Sequence, residues 1–276
     1  INLTNFGVAI EPLRNLELRW DGSFRRISSA SPTFSLDFND PRSPTGVSSE
    51  VYQFESRFSL GYFPKRQMTG FGVERKEKND NFARLFAQIT KGDRDWFNSD
   101  FNYTKLQFSY IQPWQIGGFG RLTSSIELGK TFGEVPLALL SVVPGNQTYF
   151  SIYNTFPQLD FYEFVTDTYT SMHLEHNFNG RIFSRIPFLK KYNLRAIVAL
   201  RGVWGELSEE NIALNTTGNP VEIPLIAPDS RVYYEYSFGI ANIFKVLRID
   251  FNFRGNYLDN PDARRFGITG SFGFYF

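Results

Sequence analysis

The chain contains no cysteine and only two histidines among its 276 residues. Without cysteine there are no disulfides, thiolate metal sites or cysteine nucleophiles. Charge of one sign is also missing, because 29 Lys and Arg stand against 28 Asp and Glu, for a formal net charge of +1. A balance so close to zero gives no electrostatic reason to expect nucleic acid. We therefore expect no nucleic-acid partner, no cofactor and no metal centre.

Long hydrophobic runs are absent as well. The longest mainly apolar stretch, Val135 to Pro144, is far shorter than the roughly 20 residues that a membrane-spanning helix requires. The mean hydropathy of −0.29 is typical of a soluble domain, yet the chain is rich in aromatics, with 30 Phe, 14 Tyr and 4 Trp. A transmembrane β-barrel alternates lipid-facing and lumen-facing residues, so its mean hydropathy is also low. The composition excludes a helical membrane protein and leaves both a soluble domain and a barrel open.

Strict alternation of apolar and polar residues decides the secondary structure. In residues 246–258 the two sets are Leu247, Ile249, Phe251 and Phe253 against Arg248, Asp250, Asn252 and Arg254. A period of two indicates β-strands with one apolar and one polar face. A soluble sandwich would bury the apolar face in its core, whereas a barrel in a membrane would expose that face to lipid. The barrel is favoured, because too many strands carry Phe, Tyr and Leu for each to have a partner sheet.

About twelve segments of roughly ten residues show this alternation, the length of tilted membrane strands. They lie near 1–11, 16–27, 32–39, 51–63, 82–91, 101–112, 118–130, 165–178, 193–204, 231–242, 246–258 and 266–276. The stretch 66–76 is ambiguous. The sequence predicts an all-β fold, an antiparallel transmembrane β-barrel that fills residues 1–276 as one domain.

The lengths of the connections predict an orientation. Outer-membrane barrels have short periplasmic turns and longer external loops. If the last strand ends in the periplasm, 131–164 and 205–230 lie outside, and a count of twelve strands makes the first strand rise from the periplasm. The chain begins at Ile1 rather than Met, so we expect it to be a fragment of a longer protein.

Charged residues collect on the face that a barrel would turn to its lumen. The predicted lumen residues are His173, Glu175, Arg201, Glu235, Arg248, Asp250 and Arg254. Rings of charge could set ion selectivity in a channel. Because both signs alternate, mutual pairing in a narrow or plugged lumen is favoured.

His173 and Glu175 share that face with Asp167, a combination that could do acid–base work or bind a metal. No third ligand is placed by spacing, so a structural hydrogen-bond network is favoured and we expect no enzymatic activity.

Several motifs resemble known families. Phe272, Phe274 and Phe276 resemble the C-terminal recognition signal of bacterial outer-membrane proteins. Six further motifs resemble, in order, the C-terminal barrel of the Bacteroidota family DUF5686. They lie at 129–136, 144–150, 161–165, 173–180, 186–191 and 239–245. The resemblance implies a barrel that commonly follows a carboxypeptidase-regulatory-like domain, in a family without an established activity.

That barrel is in turn distantly similar to the Omp85 superfamily of BamA- and TamA-type barrels. The long connection 131–164 precedes five predicted strands, as the sixth loop does in Omp85 barrels. The similarity implies a role in outer-membrane protein assembly or translocation, with client proteins or complex subunits as partners and a membrane containing lipopolysaccharide. A sixteen-stranded Omp85-like barrel would place about four N-terminal strands outside this chain.

The same loop departs from the Omp85 pattern, which carries an Arg-Gly motif. Residues 131–164 contain no Arg. The comparable stretch is Gly145, Asn146, Gln147, Thr148, Tyr149 and Phe150. The residues leave a passive porin or a structural outer-membrane barrel open as the alternative function.

Overall fold

The period-two segments form one antiparallel sheet of eleven strands in the computed structural model, which describes residues 2–29, 34–221, 223–260 and 262–273. Each strand pairs with its neighbours in sequence. The strands are β1 (Asn2–Leu13), β2 (Leu16–Ser28), β3 (Glu50–Tyr62), β4 (Arg84–Gly92), β5 (Tyr103–Gln115), β6 (Arg121–Phe132), β7 (Thr168–Asn177), β8 (Arg195–Glu206), β9 (Tyr233–Ile243), β10 (Leu247–Arg254) and β11 (Phe266–Phe272). The prediction of an all-β, antiparallel, barrel-type architecture is confirmed.

The predicted strand at 32–39 is wrong. Of its described residues, only Phe38–Asn39 is extended, and it forms a two-residue hairpin with Val47–Ser48 outside the large sheet. Phe38 is 1% exposed, because it packs with Leu36 and Phe101 in a hydrophobic cluster beyond the strand ends. The apolar residues of this segment therefore pack in a cap, the hydrophobic cluster beyond the strand ends, and do not form a strand of the barrel wall. The ambiguous stretch 66–76 is not a strand of the large sheet: it contains most of a second small hairpin, Met68–Thr69 with Lys76–Glu77, and a 3-10 helix at Gly72–Glu74.

The odd number of strands reverses the predicted direction of β1. The connections after the even-numbered strands, which include the longest, 133–167, lie at one end of the sheet. Those after the odd-numbered strands lie at the other end and range from short turns to the connections 63–83 and 178–194. In an antiparallel sheet of eleven strands, the first and last strands run the same way. β1 therefore starts at the end that holds the longest connection, 133–167, and the prediction that it rises from the end where β11 finishes is wrong.

The two faces of the sheet have opposite character. The outer face exposes an apolar belt from Val8 in β1 (62% exposed) through Phe58 and Phe238 to Ile268 in β11 (49%). The inner face carries the charged residues and is the buried one, with Glu235 0% exposed. Burial is thus the reverse of a soluble sandwich, which would cover the apolar face. Lipid is the solvent that suits such an outer surface.

The buried cores lie on the inner side of the sheet and at its long-connection end. Residues 133–167, here called the inner connection, cover the inner face between β6 and β10. Its Phe156, Leu159 and Phe164 are each 0% exposed and pack against Val203, Tyr233 and Tyr257. No helix among the described residues is long and apolar enough to cross a lipid bilayer.

The one α-helix of the described residues, α1 (Glu209–Asn215), anchors the start of the inner connection. The Asn211 side chain accepts a hydrogen bond from the Val135 N–H at 2.9 Å. The Asn215 amide donates to the Val135 carbonyl at 3.0 Å and accepts from the Leu137 N–H at 2.5 Å. Asn215 is 3% exposed, so these bonds satisfy backbone groups that water does not reach.

We expect Asn215→Ala to lower the free energy of unfolding by about 1–3 kcal/mol, because it leaves buried backbone groups without partners. Urea unfolding in detergent micelles measures the change. Asn81→Ala, at an exposed position, is the control and should have little effect. Equal stability of the two variants would contradict the anchoring role.

Candidate functional site

The predicted lumen charges meet on the inner face. Arg248 on β10 donates from both Nη atoms to the Glu175 carboxylate on β7, at 3.1 and 2.7 Å. Its Nε donates to Asp250 at 2.8 Å. The Arg248 side chain is 12% exposed and that of Asp250 is 2% exposed. Bidentate pairing of this kind fixes geometry and neutralises the guanidinium.

Arg254 ties the inner connection to the sheet. Its Nη atoms donate to the two Glu163 oxygens at 3.0 and 2.5 Å and to the carbonyls of Gln158 and Tyr257 at 3.3 and 2.7 Å. The side chain is 0% exposed. Burial raises the pKa of Glu163, but the hydrogen bonds from Arg254 and Asn260 outweigh it and hold that pKa below its usual range.

Glu235 makes the second polar anchor of the inner connection. Its Oε1 accepts the Gln158 N–H at 3.0 Å and the Tyr233 hydroxyl at 2.6 Å. Register places Glu235 directly between Arg201 on β8 and Arg254 on β10. A strand carboxylate and a strand guanidinium therefore bind adjacent parts of the same connection.

The three residues considered for acid–base chemistry are not brought together as a catalytic group. His173 and Arg201 are cross-strand neighbours, but the His173 ring packs 4.9 Å from the Phe156 ring. Arg201 donates to the Ser237 hydroxyl at 2.6 Å. Glu175 is held by Arg248. In the described part of the chain, no group of three or more His, Cys, Asp or Glu is placed to hold a metal ion.

Asp167 lies away from this network, next to α1. It accepts the Ser208 N–H at 2.7 Å and the Asn211 amide at 3.1 Å. Burial raises the pKa of Asp167, but bonds from Ser208, Asn211 and Thr168 lower it below its usual range. Its role is to hold the helix over the strand ends.

Two adjacent polar cavities remain between the inner connection and the sheet. One, of about 270 Å³, is lined by His173, Glu175, Arg201, Arg248 and Ser151 among others. The other, of about 290 Å³, is lined by Lys105, Glu127 and Tyr169 among others. Asn154 borders both. The inner face of this half of the sheet is thus filled with paired side chains and folded chain.

The loop motif 145–150 forms a turn that reaches β11, the strand at one edge of the sheet. A Cβ on Gly145 would lie 2.5 Å from the Leu159 carbonyl oxygen, so the close approach requires glycine. Asn146 is 2% exposed, and Gln147 donates to Asp160 at 3.4 Å. Tyr149 and Phe150 expose their side chains, at 87% and 59%. The turn places these last two residues beside β11.

The closing strand β11 has an outer edge that no named strand of the described residues covers. Phe272 lies on the outer face and is 72% exposed, whereas Phe274 and Phe276 lie outside the described residues. Sheet order puts β1 and β11 at the two ends, and within the described ranges no named strand pairs with their outer edges. The outer edges of β1 and β11 are together called the seam.

Sequence reasoning missed the residues through which the inner connection docks. Phe156, Gln158 and Glu163 lie in an irregular segment, where no periodicity marks a face. The available signal is compositional, since Phe156, Leu159, Phe161 and Phe164 are unusually apolar for a solvated loop.

Two solved structures show the same fold at low sequence identity. BamA from Haemophilus ducreyi lacking POTRA domains 1–3 matches with a TM-score of 0.56 and 12% identity, over 98% of this chain and 53% of that one. CdiB from Escherichia coli matches with a TM-score of 0.50 and 11% identity, over 98% of this chain and 44% of that one. The chain therefore spans about half the length of each, and the predicted similarity of its fold to BamA-type barrels is confirmed. No curated protein matches the sequence.

A family model described as the C-terminal domain of a family of unknown function, DUF5686, matches residues 30–209. That range is more than half of the chain and contains five of the six motifs that resemble the family, leaving 239–245 outside it. The chain belongs to the DUF5686 family through this C-terminal domain, and its fold is similar to that of the BamA barrel.

Proposed function

We propose that this protein is a non-enzymatic barrel of the bacterial outer membrane that assists the assembly or translocation of outer-membrane proteins, alone or as a complex subunit. The observation that carries the proposal is the seam, because among the described residues no named strand covers the outer edge of β1 or of β11. In this mechanism an edge templates a client strand by backbone hydrogen bonds and later releases it.

The outer face supports this proposal. An unpaired backbone N–H or C=O in lipid is costly, so a free edge surrounded by hydrocarbon favours any strand that pairs with it. Phe266 and Ile268 on β11 and Val8 and Ile10 on β1 continue the apolar belt to both edges. A client strand with one apolar face would extend this belt, which would contact membrane lipids, including lipopolysaccharide.

The paired inner face weighs against a passive channel. In an ion channel, charges that select ions must face water. Arg254 is buried and forms an ion pair with Glu163, and Arg248 forms ion pairs with Glu175 and Asp250. We therefore expect little steady current from the protein in planar bilayers, and no change of ion selectivity in Arg248→Gln.

The seam is tested with the full-length protein in liposomes. Single cysteines in β1 and β11 allow the edges to be joined by a bifunctional thiol reagent, because these 276 residues contain no cysteine of their own. Joining the edges should stop insertion of a small outer-membrane barrel, measured by protease protection, because the client strand loses its template. Reduction of a cleavable cross-link should restore insertion.

The control pair places both cysteines on neighbouring strands of the wall, at Leu128 of β6 and Thr170 of β7, which are already register partners. Cross-linking there should leave insertion unchanged. Insertion of the small barrel at the normal rate while the seam is cross-linked would refute the proposal. An ion-selective current lost on neutralising Arg201, Arg248 and Arg254 would favour the channel.

A further inference from the structure

The free edge of β11 is partly occupied by the chain itself. Gly270 donates its N–H to the Tyr149 carbonyl at 2.8 Å and accepts the Ser151 N–H at 2.8 Å, which makes Phe150 and Gly270 a parallel bridge pair. In an antiparallel ladder both polar groups of a residue point to the same side. Gly270 therefore turns them away from β10, and the inner connection satisfies them.

Side-chain hydrogen bonds on the inner face and within the preceding turn hold this contact. The Ser151 hydroxyl donates to Asp250 at 3.2 Å and bonds Thr269 at 3.0 Å, on the inner face beside the bridge. The turn before it is closed by Asn146, whose amide donates to the Phe150 carbonyl at 2.7 Å. The Asn146 oxygen in turn accepts the Thr148 N–H at 2.9 Å and its hydroxyl at 2.8 Å.

The turn is also fixed to the loop that leads into β11. The Asn146 N–H donates to the Phe156 carbonyl at 3.0 Å, and Arg264 donates to the Asn146 carbonyl at 3.3 Å. Tyr149–Ser151 is therefore held against β11 by polar groups, while the Tyr149 side chain is 87% exposed. The segment binds the edge through its backbone.

We infer that Tyr149–Ser151 is a latch on the seam, which competes with any incoming strand for the backbone of Gly270. The inference rests on the proposed function for its consequence, since it assigns a regulator to the edge that would template clients. A strand that pairs with β11 in antiparallel register needs the N–H and C=O that the latch occupies. The latch must leave before that strand can pair through the middle of β11.

Cross-linking in native outer membranes tests whether the latch is present. Phe150→Cys with Gly270→Cys should cross-link efficiently, because the two are bridge partners, and a Cβ at 270 meets its nearest atom, the Arg248 carbonyl oxygen, at 3.4 Å. Phe161→Cys with Gly270→Cys is the control, because residue 161 belongs to the same connection, is 66% exposed and forms no bridge there. Equal cross-linking of both pairs, or of neither, would overturn the latch.

Competition is tested with a peptide that has the sequence of residues 266–276 and carries a photo-cross-linker. Ser151→Pro removes the N–H that Gly270 accepts, and Ser151→Ala removes only the hydroxyl. We expect Ser151→Pro to capture about five-fold more of the peptide on β11 than Ser151→Ala does, because both variants lack the hydroxyl and they differ by one net backbone hydrogen bond. Ser151→Ala should raise capture above the wild-type level, because it loses the hydroxyl bonds to Asp250 and Thr269, and Ile152→Pro is the matched proline control.

The outcomes separate the two proposals. Unchanged capture in Ser151→Pro would overturn the competition even if client assembly depends on the seam. Raised capture in Ser151→Pro, with client assembly unaffected by joining the seam, would support the latch and refute the assembly function.

Discussion

Replacing Arg254 with Ala should release the middle of the inner connection from the sheet. The substitution leaves the buried Glu163 without its cation and frees the Gln158 and Tyr257 carbonyls. Breaking a buried ion pair by removing one partner typically costs about 3–5 kcal/mol. We therefore expect the variant to stay in the membrane, because its wall is intact, but to be cut by protease within 144–164.

Limited proteolysis in micelles and the temperature at which the barrel unfolds in detergent measure this effect. Arg265→Ala is the control, because residue 265 is exposed and lends Arg254 only its backbone carbonyl. Arg254→Ala combined with Glu163→Gln should recover part of the loss, since no buried charge then lacks a partner. A resistant single variant would show that Arg254 does not hold the connection.

Phe156→Ala should have an effect of similar size on the same connection. The ring is 0% exposed and lies between His173 and Tyr233, at 4.9 and 5.7 Å between ring centroids. Truncating a buried phenylalanine costs about 3–5 kcal/mol, because transfer energy is lost and a cavity remains. The loss falls where β7 and β9 meet the connection, so the turn at 145–150 should also lose its support.

Two measurements report this second change. The free energy of unfolding in urea should fall for Phe156→Ala and stay near the wild-type value for Tyr149→Ala, whose side chain is 87% exposed. Cross-linking between cysteines at positions 150 and 270 should also fall when Phe156→Ala is introduced. Lowered stability with full cross-linking would show that the turn is held by its polar bonds and not by this ring.

The strands could be predicted from the sequence because a strand's pattern is local. Parity places Phe251 and Phe253 on one face and Asp250 and Arg254 on the other, and register follows once neighbouring strands are known. The segment at 32–39 shows the limit of this reasoning. Its apolar residues look like those of a wall strand, but whether they face lipid or a cap depends on residues such as Phe101, far along the chain.

The lumen charges illustrate the same division. Alternation put Arg248, Glu175 and Asp250 on one face, and mutual pairing was expected from their mixed signs. The partner of Arg254 could not be predicted, because Glu163 lies in an irregular connection more than ninety residues earlier. No local pattern encodes a contact at that separation, which forms only after the connection folds onto the sheet.

The sequence alone therefore determined the strands, their two faces and the kind of surface that lipid suits, because side-chain period is a property of consecutive residues. Only the tertiary structure decided the number of wall strands, the direction of β1, the filling of the inner face and the contact of Tyr149–Ser151 with Gly270. Each of these depends on which distant segments compete for the same surface or edge. The absence of cysteine and of long hydrophobic runs ruled out whole classes of protein, but where the chain folds back on itself was settled by packing.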